Sequence, residues 1–347
     1  MVLGNILQQL YSMVDTVIVG RYLGANALAG VGTTGAISFL VVGFATGICT
    51  GLSIPVAQSF GAGDYRSMRK YIANSYYLGA LIAVVLTAIT MVATGTILQW
   101  MRTPSDIYTY AYDYIIVIFG GLLTSVIYNL LAAMLRAVGD SKSPILFLAI
   151  ASILNIILDF VFLLGLKTGV AGAGYATVIS QGISGLLCLF YLYRKFEVMR
   201  FQHGEMRLEL NLCGRLLSIG LPMALQFSIT AIGSIILQTS VNTLGSVAVT
   251  SVTAAQKICA IVMGPLESLG ITMATYCGQN LGARKFYRIR DGIRVSLIVS
   301  MCYCIFSILF LCYLGKYTAY LFLDASQTEI IRLAVRYMRI NAVFYPV

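Results

Sequence analysis

Two carboxylates stand where a chain this apolar can least easily carry charge. Asp15 is flanked by Val14, Val17, Ile18 and Val19, and Asp159 lies inside LNIILDFVF. A charge at the centre of a bilayer costs at least about 2.5 kcal/mol, so such residues mark an ion or substrate pathway or a deliberate polar clamp. Gln8, Tyr11 and Ser12 precede Asp15 by seven, four and three positions, which puts all four on one helical face. Asn155 precedes Asp159 by one helical turn, where an amide and a carboxylate can share a proton or a cation. Thr177, on the following hydrophobic segment, is a candidate hydroxyl partner. The competing reading is a polar clamp between transmembrane helices, serving packing alone.

Other polar groups offer less chemistry. Lys257 and Glu267 interrupt a later segment around Gly264 and Pro265, where a break could open backbone groups to a cavity. Arg332, Arg336 and Arg339 form one stripe near the end of the chain, expected either to face an aqueous cleft or to be a consequence of truncation. The single histidine, His203, lies in a polar stretch, and no HExxH, GxSxG or Walker pattern occurs, so the usual material of catalysis is missing. The eight cysteines include no CxxC pair; buried in helices they act as small apolar residues, and no metal or redox role is expected. Gly61 and Gly63 follow a helix rather than a strand and read as a helix stop. Gly43, Gly47 and Gly51 make a GxxxGxxxG ridge suited to close helix packing.

The elements that must carry these residues are membrane helices. Of 347 residues, 59% are hydrophobic and only 10% charged. Uncharged runs cover Tyr22 to Gly63, Tyr71 to Thr94, Tyr114 to Leu135, Thr168 to Tyr193, Leu216 to Gln256 and Val295 to Gly315. About 20 apolar residues span a bilayer, so the chain should hold roughly ten helices. Their approximate spans are 1–20, 31–53, 73–99, 114–136, 144–164, 172–193, 216–239, 252–275, 295–314 and 330 onward. The runs are continuously apolar rather than alternating, which favours helices over a barrel. The expected fold is an all-α integral membrane protein, a polytopic helix bundle.

Basic residues set the orientation. Fifteen lie in loops after even-numbered helices, against four (Arg21, Arg102, Lys167, Lys316) in the opposite loops. That asymmetry predicts a multi-pass protein of the plasma or inner membrane with a cytoplasmic N-terminus. The net charge of +10 is then a topology signal, and no nucleic-acid partner is expected. The polar stretch 194–215 has the composition of a solvated cytoplasmic linker, dividing an N-terminal six-helix lobe (1–193) from a C-terminal lobe (216–347).

The sequence also repeats at an offset of 221. Gln58, Gly61, Ala62, Arg69 and Ile72 recur as Gln279, Gly282, Ala283, Arg290 and Ile293, and Gly24, Ala27 and Val31 as Gly245, Ala248 and Val252. A fixed offset held over separated blocks indicates duplication. Copies of six helices share one orientation, so the repeat is parallel. On this offset the second copy should end about 67 residues beyond Val347. The expectation is therefore a chain truncated at its N-terminus, with only the first three to four helices of the second lobe.

The segments LQQLYSMVDTVIVGRYLGANALAGVG (Leu7 to Gly32), VAQSFGAGD, RAVGDSKSP (Arg136 to Pro144) and LNIILDFVF (Leu154 to Phe162) together resemble the multidrug and toxic compound extrusion (MATE) family along the whole chain. The resemblance implies two six-helix lobes in a V shape. It also implies an antiporter that exports cationic or amphipathic compounds against a proton or sodium gradient, with no cofactor and not an enzyme. By it Asp15 matches the family's first-helix acid, and Asn155, Asp159 and Thr177 match the hydrogen-bond network around that acid. Tyr11, Gln8, Asn129, Gln226 and Lys257 are candidate cargo contacts. The sodium-coupled branch carries an acid in its seventh helix, whereas 216–239 holds none, only Gln226, Gln238 and hydroxyls; coupling is expected through the N-terminal lobe. The protein is expected to act as a monomer in the lipid bilayer on a small-molecule substrate.

Two alternatives stay open. A flippase for lipid-linked oligosaccharides would use a similar bundle but needs several basic residues in its cavity to hold a pyrophosphate. An intramembrane enzyme would need a nucleophile with its base, or a metal set.

Overall fold

The computed structural model describes residues 14–15, 18–101, 103–242, 244, 246–320 and 328–346. Residues 14–15 and 18–23 are helical. Beyond them the described chain forms α1 (Ala25–Gly61), α2 (Tyr65–Trp100), α3 (Ser105–Gly120), α4 (Leu122–Ala137), α5 (Lys142–Phe160), α6 (Val170–Lys195), α7 (Leu210–Asn242), α8 (Ser246–Gly282), α9 (Phe286–Ala319) and α10 (Thr328–Val343). Seven of these are long and apolar enough to cross a membrane, and the bent pair α3–α4 is apolar enough to make an eighth span when taken together. The protein is thus an all-α, multi-pass membrane protein.

Most helices run well past the windows that apolarity alone marks. α1 has 37 residues, about 55 Å at 1.5 Å per residue, against a hydrocarbon core of about 30 Å. Helix ends beyond the lipid are set by caps rather than by hydropathy. Asp64 accepts the Ser67 N–H at 3.0 Å to start α2. Asp140 accepts from Lys142 N (3.1 Å), Ser143 N (3.0 Å), Ser143 Oγ (2.7 Å) and the Tyr191 hydroxyl (3.0 Å) ahead of α5.

The fourth span departs from the expected single helix 114–136. It begins at Ser105 and bends by 48° between α3 and α4. The cause sits at Gly121, where an added Cβ would lie 2.6 Å from Val178 Cγ1 and 2.9 Å from its Cβ. Only a glycine lets α6 come so close, and the break accommodates it.

Packing divides the described chain into two compact units. One holds residues 14–231 together with Gly278–Lys285; the other holds Ile232–Cys277 and the residues from Phe286 on. The first has a core of Ile48, Leu52, Val56, Met68, Ile72, Met134, Leu135, Cys188 and Leu192, drawn from α1, α2, α4 and α6. In the second, Leu311 and Ala319 of α9 pack with Ile331, Ala334 and Met338 of α10 and Ala255 and Ile258 of α8.

The polar stretch before α7 is not free in solvent. Arg69 Nε and Nη2 reach Glu205 Oε2 and Oε1 at 2.5 and 2.8 Å, and Arg69 Nη1 donates to Val198 O at 3.2 Å. Asn74 accepts from Glu209 N at 2.9 Å and donates to Arg207 O at 3.2 Å, and Tyr77 donates to Met206 O at 3.0 Å. Glu205 and Met199 are buried. The stretch is a strap tied to the first turns of α2.

The repeat is reproduced down to single hydrogen bonds. In the first copy Ala62, Gly63 and Asp64 N–H groups donate to Gln58, Phe60 and Ser59; in the second, Ala283, Arg284 and Lys285 donate to Gln279, Leu281 and Asn280. Each donor and acceptor shifts by 221. Gly63 and Arg284 both adopt positive φ, 73° and 55°. The two turns also pack on each other reciprocally inside the first unit. A Cβ on Gly61 would fall 2.7 Å from Gln279 C, and one on Gly282 would fall 2.7 Å from Gln58 C. The expected glycine ridge is a packing surface as well: Cβ atoms on Gly47 and Gly51 would lie 2.8 Å from Ala224 Cα and 2.5 Å from Gly220 Cα in α7.

Candidate functional site: a buried carboxylate pair

Asp15 is carried into the first unit by the apolar residues that follow it. Ile18 and Val19 pack with Ala27 and Val31 of α1, Leu163, and Val170 and Ala173 of α6, which leaves Asp15 only 5% exposed. Asp159 and Asn155 lie one turn apart at the end of α5, and neither is exposed at all. The carboxyl groups of Asp15 and Asp159 lie close enough to interact electrostatically, although neither Asp159 oxygen has a described hydrogen bond. Residues far apart in sequence, which the family resemblance placed in one network, lie side by side.

The helix changes character immediately after Asp159. Residues Val161–Gly165 form a turn of π-helix, closed by Leu166 N donating to Val161 O at 2.9 Å, and then Thr168 N donates to Phe162 O at 3.0 Å. Such single π turns insert one residue and often sit beside functional groups. Here Leu163 of that turn packs on Ile18 and Val19, so the distortion supports both carboxylates.

Thr177 of α6 is half-buried in the same unit. Ser180 and Ser184 share its helical face at three and seven positions on, and both are buried with hydroxyls that lack a hydrogen-bond partner among the described residues. Sequence reasoning passed over these two serines, although the spacing Thr177, Ser180, Ser184 was legible as a polar stripe.

Among the described residues, Asp15 Oδ1, both oxygens of Asp159, and both polar atoms of Asn155 are buried without a hydrogen-bond partner. An unmet buried polar atom costs about 1 to 3 kcal/mol. Ionised carboxylates only accept hydrogen bonds, so two of them side by side cannot satisfy each other. A proton held between them supplies the missing donor, and a small cation bound by carboxylate and amide oxygens does the same electrostatically. Among the described residues no three His, Cys, Asp or Glu side chains could hold a metal ion together.

The remaining candidates are not drawn into this cluster by any described contact. Asn129 is half-buried and donates to Ser125 O of its own helix at 2.9 Å. Gln226 is exposed on α7. Lys257, on α8, is exposed in the other compact unit. Gln8 and Tyr11 lie outside the described residues.

Comparison with known proteins completes the description. The family described as MatE matches residues 1–161 and 222–347. The "Probable multidrug resistance protein YoeA" of Bacillus subtilis is 30% identical over 304 residues, 86% of this chain and 66% of that protein. The "Probable multidrug resistance protein YpnP" of the same organism is 29% identical over 99% of this chain and 76% of its own length. A solved structure described as the outward-facing conformation of a multidrug resistance MATE family transporter of the MOP superfamily covers the whole chain with a TM-score of 0.91. It is 23% identical, and 77% of that chain is matched. The chain thus spans about two thirds to three quarters of the length of these proteins.

Proposed function

Because this chain belongs to the MatE family, we propose that it works as a secondary active antiporter, exporting cationic or amphipathic toxic compounds in exchange for protons or sodium ions. The observation that carries the reading is the buried pair Asp15 and Asp159, with Asn155 one turn away. The relatives named for multidrug resistance support the class of cargo.

The mechanism follows from the pair. With both carboxylates ionised, the site favours a cationic cargo, because opposite charges attract strongly where water is scarce. When protons enter from outside, one is shared between Asp15 and Asp159, and the negative charge that held the cargo is halved. The N-terminal helix is seated on the π turn beside Asp159; protonating the pair changes what Asp15 must reach, and that helix shifts. Affinity for cargo then falls and it leaves outward. Asn155 and Thr177 complete the set of oxygens around the exchanged ion. The protein acts as a monomer in the plasma or inner membrane with its N-terminus in the cytoplasm, alternating between inward and outward access.

The test is ethidium efflux from proteoliposomes under an imposed pH gradient, and separately under an imposed sodium gradient. Efflux under either gradient supports the antiporter and identifies the ion. No efflux under either moves the reading to flipping of a lipid-linked oligosaccharide.

A further inference from the structure

The second unit contains a cavity that the carboxylate mechanism does not use. Its volume is ≈ 920 Å³, and among its described lining residues are Lys316 of α9 and Arg332, Arg336 and Arg339 of α10, with Glu329 the one acid among them. These described lining residues carry a net charge of +3.

These cations are placed at a cost. Arg332 and Arg336 are one turn apart and repel each other along α10. Arg332 also lies near the N-terminus of α10, the end where the helix dipole disfavours positive charge. Among the described residues every ion pair lies in the first unit, so Glu329 neutralises none of the four. Only Arg339 has a described polar partner, donating to Cys312 O at 3.0 Å. Guanidinium groups lining one space, with no described ion pair to hold them, match the bidentate geometry of phosphate and carboxylate groups. Tyr320, Ile331, Leu333, Val335 and Ile340 line the rest, which gives the charged group an apolar surround. A space of this size takes a drug-sized molecule.

We propose that this cavity is a binding site for an amphipathic anion whose phosphate or carboxylate is gripped by Arg332, Arg336 and Lys316. The occupant is either a transported compound or the headgroup of an anionic phospholipid, which share that chemistry. The site stands apart from the proposed ion exchange at Asp15 and does not depend on it.

The experiment measures binding of 4-methylumbelliferyl phosphate, and of its uncharged parent 4-methylumbelliferone, to the purified protein in nanodiscs. One set of discs is made of phosphatidylcholine alone, the other contains phosphatidylglycerol. The phosphate should bind at least about tenfold more tightly than the parent in phosphatidylcholine discs, and the advantage should shrink as salt rises. R332Q/R336Q should remove the advantage, R332K/R336K should retain part of it through charge alone, and Asp15→Asn should leave it unchanged. Undiminished binding in phosphatidylglycerol discs assigns the site to a soluble anion; loss of probe there assigns it to lipid headgroups. Equal affinity for phosphate and parent overturns the proposal. So does R332Q/R336Q protein that unfolds at the wild-type temperature yet binds the phosphate as before. Loss of the site with proton-driven ethidium efflux intact separates it from the antiport reading.

Discussion

Substituting Gly61 by alanine should destabilise the first unit more than its modest chemistry suggests. The new Cβ would sit 2.7 Å from Gln279 C and 2.9 Å from its Cα, with the Gln279 carbonyl oxygen closer still. Ordinary van der Waals contact begins at 3.4 Å, a shortfall of 0.7 Å against backbone on a helix end that cannot swing aside. Overpacking of this kind costs about 3 kcal/mol, which lowers the melting temperature by about 6 °C or more. Gly282→Ala strains the same pair of backbones from the other side, with Gln58 C at 2.7 Å. Once one substitution has pushed the turns apart, the second meets less resistance, so the double variant should fall short of additivity by at least about 1 kcal/mol. Gly32→Ala, in the same helix as Gly61 but with nothing within 4 Å, serves as the control and should be neutral or slightly stabilising. The assay is thermal unfolding of purified protein in one detergent, read by the intrinsic fluorescence of its tyrosines and Trp100. If Gly61→Ala melts within 1 °C of the control, or if the two costs simply add, the reciprocal contact between the repeats is wrong.

Further outcomes follow from the turns, the strap and the bend. Arg284 carries a side chain at φ 55° where its counterpart is Gly63; Arg284→Gly should raise the melting temperature, while Gly63→Ala should lower it, each by about 1 kcal/mol in stability. Glu205→Gln leaves Arg69 buried without its carboxylate and should cost about 3 kcal/mol, with limited proteolysis cutting at 197–209 where the wild type resists. The hydrogen bonds from Arg69, then that from Gln202 N–H, hold the Glu205 carboxyl below its ordinary value of 4.5. A lowered acid stabilises the fold above its unfolded value and loses that contribution as pH falls through the lowered one. Wild-type stability should therefore drop below pH 4.5 by more than that of Glu205→Gln. Gly121→Ala should clash with Val178 and lower both stability and yield in the membrane, measured by fluorescence-detected gel filtration.

The membrane helices were legible in the sequence because lipid demands continuous apolar runs, and those are visible without any tertiary information. Their ends were not, since caps such as Asp64 and Asp140 and the lengths beyond the bilayer answer to local hydrogen bonds rather than hydropathy. The repeat was read from identities such as Gln58 and Gln279; that its two turns grip each other was not, because contact between copies leaves no trace in an offset. Asp15 and Asp159 stood out as isolated charges. Their association was implied by the family resemblance and not by spacing; the π turn, whose Leu163 packs on Ile18 and Val19, is announced by no periodicity. The strap over α2 read as solvated because Glu205 and Arg69 are polar; their burial is a property of the pair, invisible to composition.

The central claim is that cargo and proton compete for the Asp15–Asp159 pair, and proton release on cargo binding tests it most directly. Purified protein in weakly buffered detergent solution is titrated with ethidium while pH is followed with an indicator dye. The account predicts release of about one proton per ethidium bound, abolished in Asp15→Asn protein that still melts at the wild-type temperature. Undiminished release by that variant, or ethidium binding by the wild type without release at any pH, would contradict it.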